Sequence, residues 1–317
     1  MRLLVTRRMT EAAERALTAR FDTTLRDDGT PLTVQDARAA LRYYDAIIPT
    51  LGDGFSAPAF EGGGLKTRLV ANFGAGFNHI DVDAARAAGV IVTNTPGVVT
   101  DATADIAMTL ILMTARRAGE GERILRAGEW AGWQPTQMLG RHVTGSTVGI
   151  IGMGRIGKAI AARCCHGFGM RVVFHNRSRV SSLDIPATQL ADIGAVLSVA
   201  DFVVLAVPGG SGTRHLVGAA ELAQMRRDAF LINISRGDVV DEAALIRTLQ
   251  AGGIAGAGLD VYEREPDVPD ALRALQNVSL LPHLGTATAE TRTAMALRAM
   301  ANVVALDEGR EPADRVN

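Results

Sequence analysis

The chain is poor in several residue types, and each scarcity excludes something. Among 317 residues there are two cysteines, Cys164 and Cys165, adjacent to each other in a stretch that reads as helix. Neighbouring cysteines with no further ligands at metal-binding spacing make neither a disulfide framework nor a zinc site, and no metal is expected. Lys66 and Lys158 are the only lysines, and 33 basic side chains meet 34 acidic ones for a net charge of −1. Such a chain has no bulk field to attract nucleic acid or an anionic membrane, so neither is expected as a partner. No apolar run approaches the roughly 20 residues that cross a bilayer. The opening MRLLVTRRMTEAAERA reads as a strand and a charged helix, not as a signal peptide. A reducing, cytoplasmic setting is expected. Tryptophan is confined to Trp130 and Trp133, in one irregular segment.

What is present is an ordinary globular composition, 47% apolar and 21% charged. The length favours two domains. The organising stretch is TVGIIGMGRIGKAIAARCCHGFGMRVVFHNRS, residues 147–178. An apolar run precedes Gly152-Met153-Gly154-Arg155-Ile156-Gly157, a helical segment follows, and a second strand ends at His175-Asn176-Arg177-Ser178. Strand, glycine turn, helix and strand within about 30 residues is the context that makes a GxGxxG a dinucleotide fingerprint. Gly152 permits the tight turn, Gly154 lets backbone approach a pyrophosphate, and Gly157 lets helix and strand pack closely. The helix is expected over 158–165, just after Arg155 and Ile156, and its free N–H groups face the phosphates. An NAD site usually carries an acid at the end of the second strand. Here Asn176, Arg177 and Ser178 stand there, with Arg179 beyond. Arginine and small hydrogen-bonding side chains suit a 2′-phosphate, so NADP(H) is expected in preference to NAD(H).

Before this stretch, strands are expected at 2–6, 22–25, 46–49, 69–73 and 90–93, with helices at 10–20, 33–43 and 82–88. Thr10 is the candidate N-cap of the first helix. A long helix is expected over 101–117, too apolar for a free surface and so assigned to a boundary between domains or subunits. An irregular connection then covers 126–144. After the glycine unit, strands are expected at 202–207, 229–235, 258–262 and 278–281, and a last helix at 289–306 that returns to the first domain. Alternating strands and helices indicate parallel sheets. The fold class is therefore α/β: two Rossmann-like or flavodoxin-like parallel-sheet domains with a cleft between them. The expected division is a substrate domain of 1–98 plus 287–317 and a cofactor domain of 99–286.

In open α/β sheets, ligands lie beyond the carboxyl ends of the strands. Three polar residues fall there after three different strands: Arg236 after LINIS, Glu265 after GLDVYER and His283 after VSLLP. A histidine moves a proton near neutral pH. A neighbouring carboxylate fixes its tautomer and stabilises the imidazolium. An arginine binds a carboxylate bidentately and polarises a carbonyl beside it. With a nicotinamide as hydride donor, these make a 2-hydroxy acid dehydrogenase with His283 as proton donor.

At these residues the sequence resembles the D-isomer-specific 2-hydroxyacid dehydrogenases. The resemblance runs from GAGFNHIDV through NTPGVVTDATADIA, GIIGMGRIGKAIA, NISRGDVVDEAAL and GLDVYEREP to LPHLGTATAETR. It implies that Arg236, Glu265 and His283 are the catalytic residues and that Asp260 meets the nicotinamide carboxamide. It further implies cofactor contacts at Pro208, Thr213 and Ile234, and a nicotinamide lining of Thr103 and Gly285. The substrate carboxylate is expected on the backbone N–H groups of Ala75 and Gly76, with Leu51 and Gly52 as the opposing wall and Arg236 and His283 also on the substrate. Within the family, GAGFNHID, GEWAGW and HNRS are most similar to NADP-dependent glyoxylate/hydroxypyruvate reductases. The resemblance thus implies a small 2-keto or 2-hydroxy acid as substrate and a homodimer, with Trp130 and Trp133 as candidate interface anchors or, alternatively, covers of a domain core. The stretch Gly209–His215 departs from the commoner proline-containing form. A reductase of larger keto acids such as 2-ketogluconate, and a dinucleotide-sensing binding protein, are the alternatives.

Overall fold

Short runs of leucine, isoleucine and valine vanish from solvent: Leu3, Val5, Ile47, Ile48, Leu69, Val70 and Val92 in one part of the chain, Val148, Ile150, Val203, Val204, Leu231 and Ile232 in another. Strands covered on both faces by helices read as continuous apolar runs, and these do. The computed structural model describes residues 1–317. They form two units, Met1–Val99 with Thr286–Asn317, and Thr100–Gly285.

The chain begins with β1 (Arg2–Val5), α1 (Glu11–Arg20), β2 (Asp22–Leu25), α2 (Val34–Tyr43), β3 (Ala46–Ile48), β4 (Leu69–Ala71), α3 (Val82–Ala87) and β5 (Ile91–Thr93). It continues with α4 (Thr100–Ala115), α5 (Ala118–Arg126), β6 (Thr147–Ile151), α6 (Arg155–Phe168), β7 (Arg171–His175), β8 (Ala187–Gln189), α7 (Ile193–Leu197) and β9 (Phe202–Leu205). Then come α8 (Ala219–Leu222), β10 (Phe230–Asn233), α9 (Glu242–Gln250), β11 (Gly256–Leu259), α10 (Asp270–Arg273), β12 (Val278–Leu280) and α11 (Ala289–Asp307).

The first unit has a five-stranded sheet, ordered β2-β1-β3-β4-β5, with every pairing parallel. This is the flavodoxin-like order. Helix α11 belongs to this unit, its Ala299 and Val303 buried with Leu17 of α1 and Leu69 of β4. Helix α2 starts with a capping box, Thr33 Oγ1 accepting from Asp36 N at 3.2 Å while Thr33 N donates to the Asp36 carboxylate. The cap expected at Thr10 does not form: its hydroxyl is bonded instead to Thr293 Oγ1 of α11 at 2.7 Å.

The second unit has seven parallel strands, ordered β12-β11-β10-β9-β6-β7-β8. The order reverses between β6 and β9, the switch point where such sheets take their ligands. Several boundaries differ from the sequence expectation, each for a local reason. Helix α4 stops at Ala115 because Arg117 takes a left-handed φ of 53°, and a separate helix α5 begins. Helix α4 buries Ala104, Ala107, Leu110 and Ile111 inside this unit, against α6 and beneath β10 and β11. Strand β11 runs earlier than expected, since Gly256 pairs with Phe230 and the chain leaves the sheet at Asp260. Helix α6 takes in Arg155, Ile156 and Gly157 as its first turn.

Candidate active site

The glycine turn joins β6 to α6 at the switch point. Gly152 holds φ at 100°, and its N–H donates to His175 O at 2.9 Å, closing the turn onto the end of β7. A Cβ on Gly157 would stand 2.1 Å from Gly152 O, so only glycine lets the helix start this close. A Cβ on Gly154 would meet nothing within 4 Å. Gly154 is also the N-cap of the 14-residue α6 and has no side chain to satisfy the helix N–H groups. Open space above free N–H groups at a positive helix end fits a pyrophosphate. The turn therefore fits the dinucleotide that its pattern implies.

Beyond β7, Asn176 Oδ1 accepts from Met153 N at 3.1 Å, tying the strand end to the glycine turn. Asn176 Nδ2 donates to Ser178 O and Ser178 Oγ at 3.0 and 3.2 Å. Arg177, Ser178 and Arg179 are exposed, and neither arginine is engaged in any of the salt bridges.

At the carboxyl ends of β10, β11 and β12, three loops converge. Arg236 follows β10; its Nη1 donates to Ser235 O at 2.7 Å, while its Nε is buried without a partner. Gly237 lets this loop press on the next, since a Cβ there would lie 1.8 Å from the Tyr262 carbonyl carbon. Burial pulls the Arg236 guanidinium below its ordinary value, against the raising charges of Glu265 and Asp238. After β11, Glu265 Oε1 accepts from Tyr262 N at 3.1 Å and Glu265 Oε2 lies 2.8 Å from His283 Nδ1. Burial works to raise the Glu265 carboxyl, but the His283 hydrogen bond and charge, the Tyr262 N–H and Arg236 outweigh it and hold it below the usual carboxylate value.

His283 follows β12 with a left-handed φ of 53°. Asp260 dictates that turn. Its carbonyl accepts from His283 N at 2.9 Å, Oδ1 from Leu284 N at 2.6 Å and Oδ2 from Gly285 N at 2.8 Å. Burial raises the Asp260 carboxyl despite these donors. Thr103 Oγ1 donates to Gly285 O at 3.1 Å, bringing α4 to the same place. Thr213 Oγ1 donates to Pro208 O at 2.7 Å in the loop after β9, and Ile234 is buried beside β10.

The second unit thus brings together Thr103, the glycine turn, Pro208, Thr213, Ile234, Arg236, Asp260, Glu265, His283 and Gly285 along one edge of its sheet. In the first unit, Leu51 and Gly52 follow β3, Leu51 exposed and Gly52 at a φ of 90°. Ala75 and Gly76 follow β4, their carbonyls held by Asn94 Nδ2 at 2.8 Å and Asn72 Nδ2 at 3.0 Å.

His215 is not among the site residues expected from the sequence. It is half-buried, has a φ of 51°, and its Nε2 lies 3.0 Å from Glu263 Oε1, linking the loop after β9 to the loop that carries Glu265. Nothing local in the sequence signals a pair 48 residues apart.

Comparison with known proteins agrees with this geometry. Residues 108–285 match the family model for the NAD binding domain of D-isomer specific 2-hydroxyacid dehydrogenases. The chain is 41% identical over 319 residues to glyoxylate reductase of Korarchaeum cryptofilum, covering 100% of this chain and 96% of that protein. It is 40% identical over 321 residues to glyoxylate reductase of Pyrococcus horikoshii, again covering 100% of this chain and 96% of the relative. A solved structure of NADPH-dependent glyoxylate/hydroxypyruvate reductase from Sinorhizobium meliloti, in complex with NADP and malonate, is 36% identical at a TM-score of 0.88, over 99% of this chain and 96% of that one. With its motifs in order and its nucleotide unit folded as they require, the chain belongs to the D-isomer specific 2-hydroxyacid dehydrogenases and is an oxidoreductase that uses a nicotinamide dinucleotide.

Proposed function

We propose that this enzyme reduces small 2-keto acids, glyoxylate and hydroxypyruvate foremost, to D-2-hydroxy acids with NADPH. The observation that carries the reading is the 2.8 Å contact between His283 Nδ1 and Glu265 Oε2, set at the carboxyl edge of the sheet near Arg236. Glu265 Oε2 accepts a hydrogen bond from Nδ1–H, which leaves Nε2 as the atom that faces a reacting oxygen. When bound, the nicotinamide supplies the hydride to the keto carbon. His283 gives its Nε2 proton to the carbonyl oxygen, and Glu265 stabilises the imidazolium before that transfer. Arg236 has an unsatisfied buried Nε ready for the substrate carboxylate or carbonyl. In the first unit, the N–H groups of Ala75 and Gly76 are the candidate carboxylate donors, with Leu51 and Gly52 as the wall beside β3. Each Asp260 oxygen accepts one backbone N–H and keeps a lone pair for the carboxamide.

The preference for NADPH rests on Arg177 and Arg179, exposed and unpaired where an NAD enzyme places an acid. The relatives named as glyoxylate reductases support the substrate class. A homodimer is proposed on the exposed Trp130 and Trp133, which give it an apolar face. Initial rates at 340 nm with NADPH and NADH, against glyoxylate, hydroxypyruvate, pyruvate and 2-ketogluconate, test the cofactor and the substrate class. Fast NADPH oxidation with the two small acids is the expected result. Turnover with NADH alone would remove the cofactor assignment, and activity confined to 2-ketogluconate would move the substrate to larger acids.

A further inference from the structure

We propose that Gln189 shapes the turn at residues 176–180 into a 2′-phosphate site and thereby sets the cofactor preference. The proposal rests on the NADPH reading and goes one residue deeper than it. Gln189 is the last residue of β8, the edge strand, and it pairs with Phe174 near the end of β7. Its side chain does not serve the sheet. Nε2 donates to Asn176 O at 3.2 Å and to Ser178 O at 3.0 Å, while Oε1 accepts from Val180 N at 3.0 Å. One carboxamide thus uses both donors and an acceptor on three alternate residues of a five-residue turn.

Nothing in the backbone would otherwise hold that turn. No backbone–backbone hydrogen bond involves residues 176 to 180, and residues 177 to 179 are exposed. The remaining anchor is the Asn176 side chain, whose bonds reach Met153 N and Ser178. Arg177 and Arg179 alternate with the pinned residues Asn176, Ser178 and Val180. Pinning the alternate backbone groups fixes where the two arginines start, while their guanidinium groups remain unpaired. A dianion then binds without having to order the loop first, and that saving is the source of affinity in a pre-organised site. An NAD enzyme needs no such staple, because a single carboxylate at the strand end holds the ribose.

The test is direct binding, with no turnover involved. Dissociation constants for adenosine 2′,5′-bisphosphate and for AMP are measured by calorimetry on the full-length wild type, Gln189→Leu, Gln189→Glu and Arg177→Ala. Wild type is expected to prefer the bisphosphate. Gln189→Leu should weaken the bisphosphate about tenfold, the loss of one to two net hydrogen bonds, and leave AMP within about twofold. Gln189→Glu keeps the acceptor for Val180 N but turns a carboxylate oxygen toward two carbonyls, and should lose at least as much. If either Gln189 variant folds and keeps the wild-type ratio of the two constants, the assignment of Gln189 is overturned while the NADPH reading stands. Equal loss of both ligands in both variants would mark a merely structural role and also overturn it. A wild type that binds the two ligands equally, with Arg177→Ala unchanged, would remove the NADPH reading itself.

Discussion

His283 sits in a left-handed backbone conformation that a side-chain-bearing residue seldom adopts, and the surroundings must hold it there. Asp260 does so through three acceptor atoms, one in the backbone and two in the carboxylate. Asp260→Ala should therefore lower kcat by about 10- to 100-fold through a displaced imidazole, and destabilise the fold by about 1–3 kcal/mol through two orphaned N–H groups. Steady-state kinetics and urea unfolding measure the two separately; a full-speed Asp260→Ala would break the link between this turn and the chemistry. His283→Ala should lower kcat by about 10²- to 10⁴-fold with little change in melting temperature, since the lost group is a proton donor and not a core side chain. Glu265 carries a pH signature. Its folded carboxyl lies below the ordinary value, so its stabilising effect is present above the unfolded value of about 4.3 and is lost as pH falls through the folded one. The stability gap between wild type and Glu265→Gln should accordingly hold above the unfolded value and narrow as urea unfolding is repeated at successively lower pH below about 4.3. A gap that widened on acidification would contradict the direction. Arg236, Glu265 and His283 were legible in the sequence because each follows an apolar strand, and strand ends converge. Gln189 and His215 were not, because their meaning lies in partners on other loops, and a lone glutamine on a three-residue strand carries no pattern of its own.

At the level of elements, the glycine turn separates two effects that a sequence pattern merges. Gly154→Ala introduces a Cβ into open space, so the fold should keep its melting temperature within a few degrees while cofactor binding weakens by at least about tenfold. Gly157→Ala drives a Cβ to 2.1 Å from Gly152 O and should lose both, with about 1–3 kcal/mol of stability gone through overpacking. Thermal melts set beside cofactor titrations distinguish the pair, and a Gly154→Ala enzyme that bound cofactor normally would show that no phosphate passes there. The fully buried strands were readable because parallel strands have no polar face to interrupt them. Strand β8 was not, since its Ala187-Thr188-Gln189 sits at the sheet edge and stays partly exposed. Helix α5 was missed for a related reason: it buries none of its residues and contains two glycines, Gly119 and Gly121, which are poor helix formers.

On the scale of the whole molecule, exposed apolar surface is concentrated, not scattered. Of nine large hydrophobic side chains left exposed, four, namely Leu125, Trp130, Trp133 and Leu139, fall within residues 125–139, and Trp133 is 79% exposed. Single exposed apolar residues are ordinary, but a cluster with two tryptophans is the composition of an interface centre. Leu139 also borders a cavity of about 520 Å³ lined by Met113, Phe230 and Val278. That cavity lies at the amino ends of β10 and β12, the opposite end of the sheet from His283, so it belongs to packing and not to the chemistry. A second copy of the chain is the occupant proposed for this face. The enzyme should therefore run in light scattering at twice the 33.4 kDa chain mass. Its melting temperature should rise with protein concentration, as association linked to folding requires. Trp133→Glu would place an uncompensated charge in the interface and should shift the protein toward the single-chain mass while both sheets keep their circular dichroism. A wild type that stayed at one chain mass at every concentration would leave the two tryptophans without a partner and remove the dimer from this account.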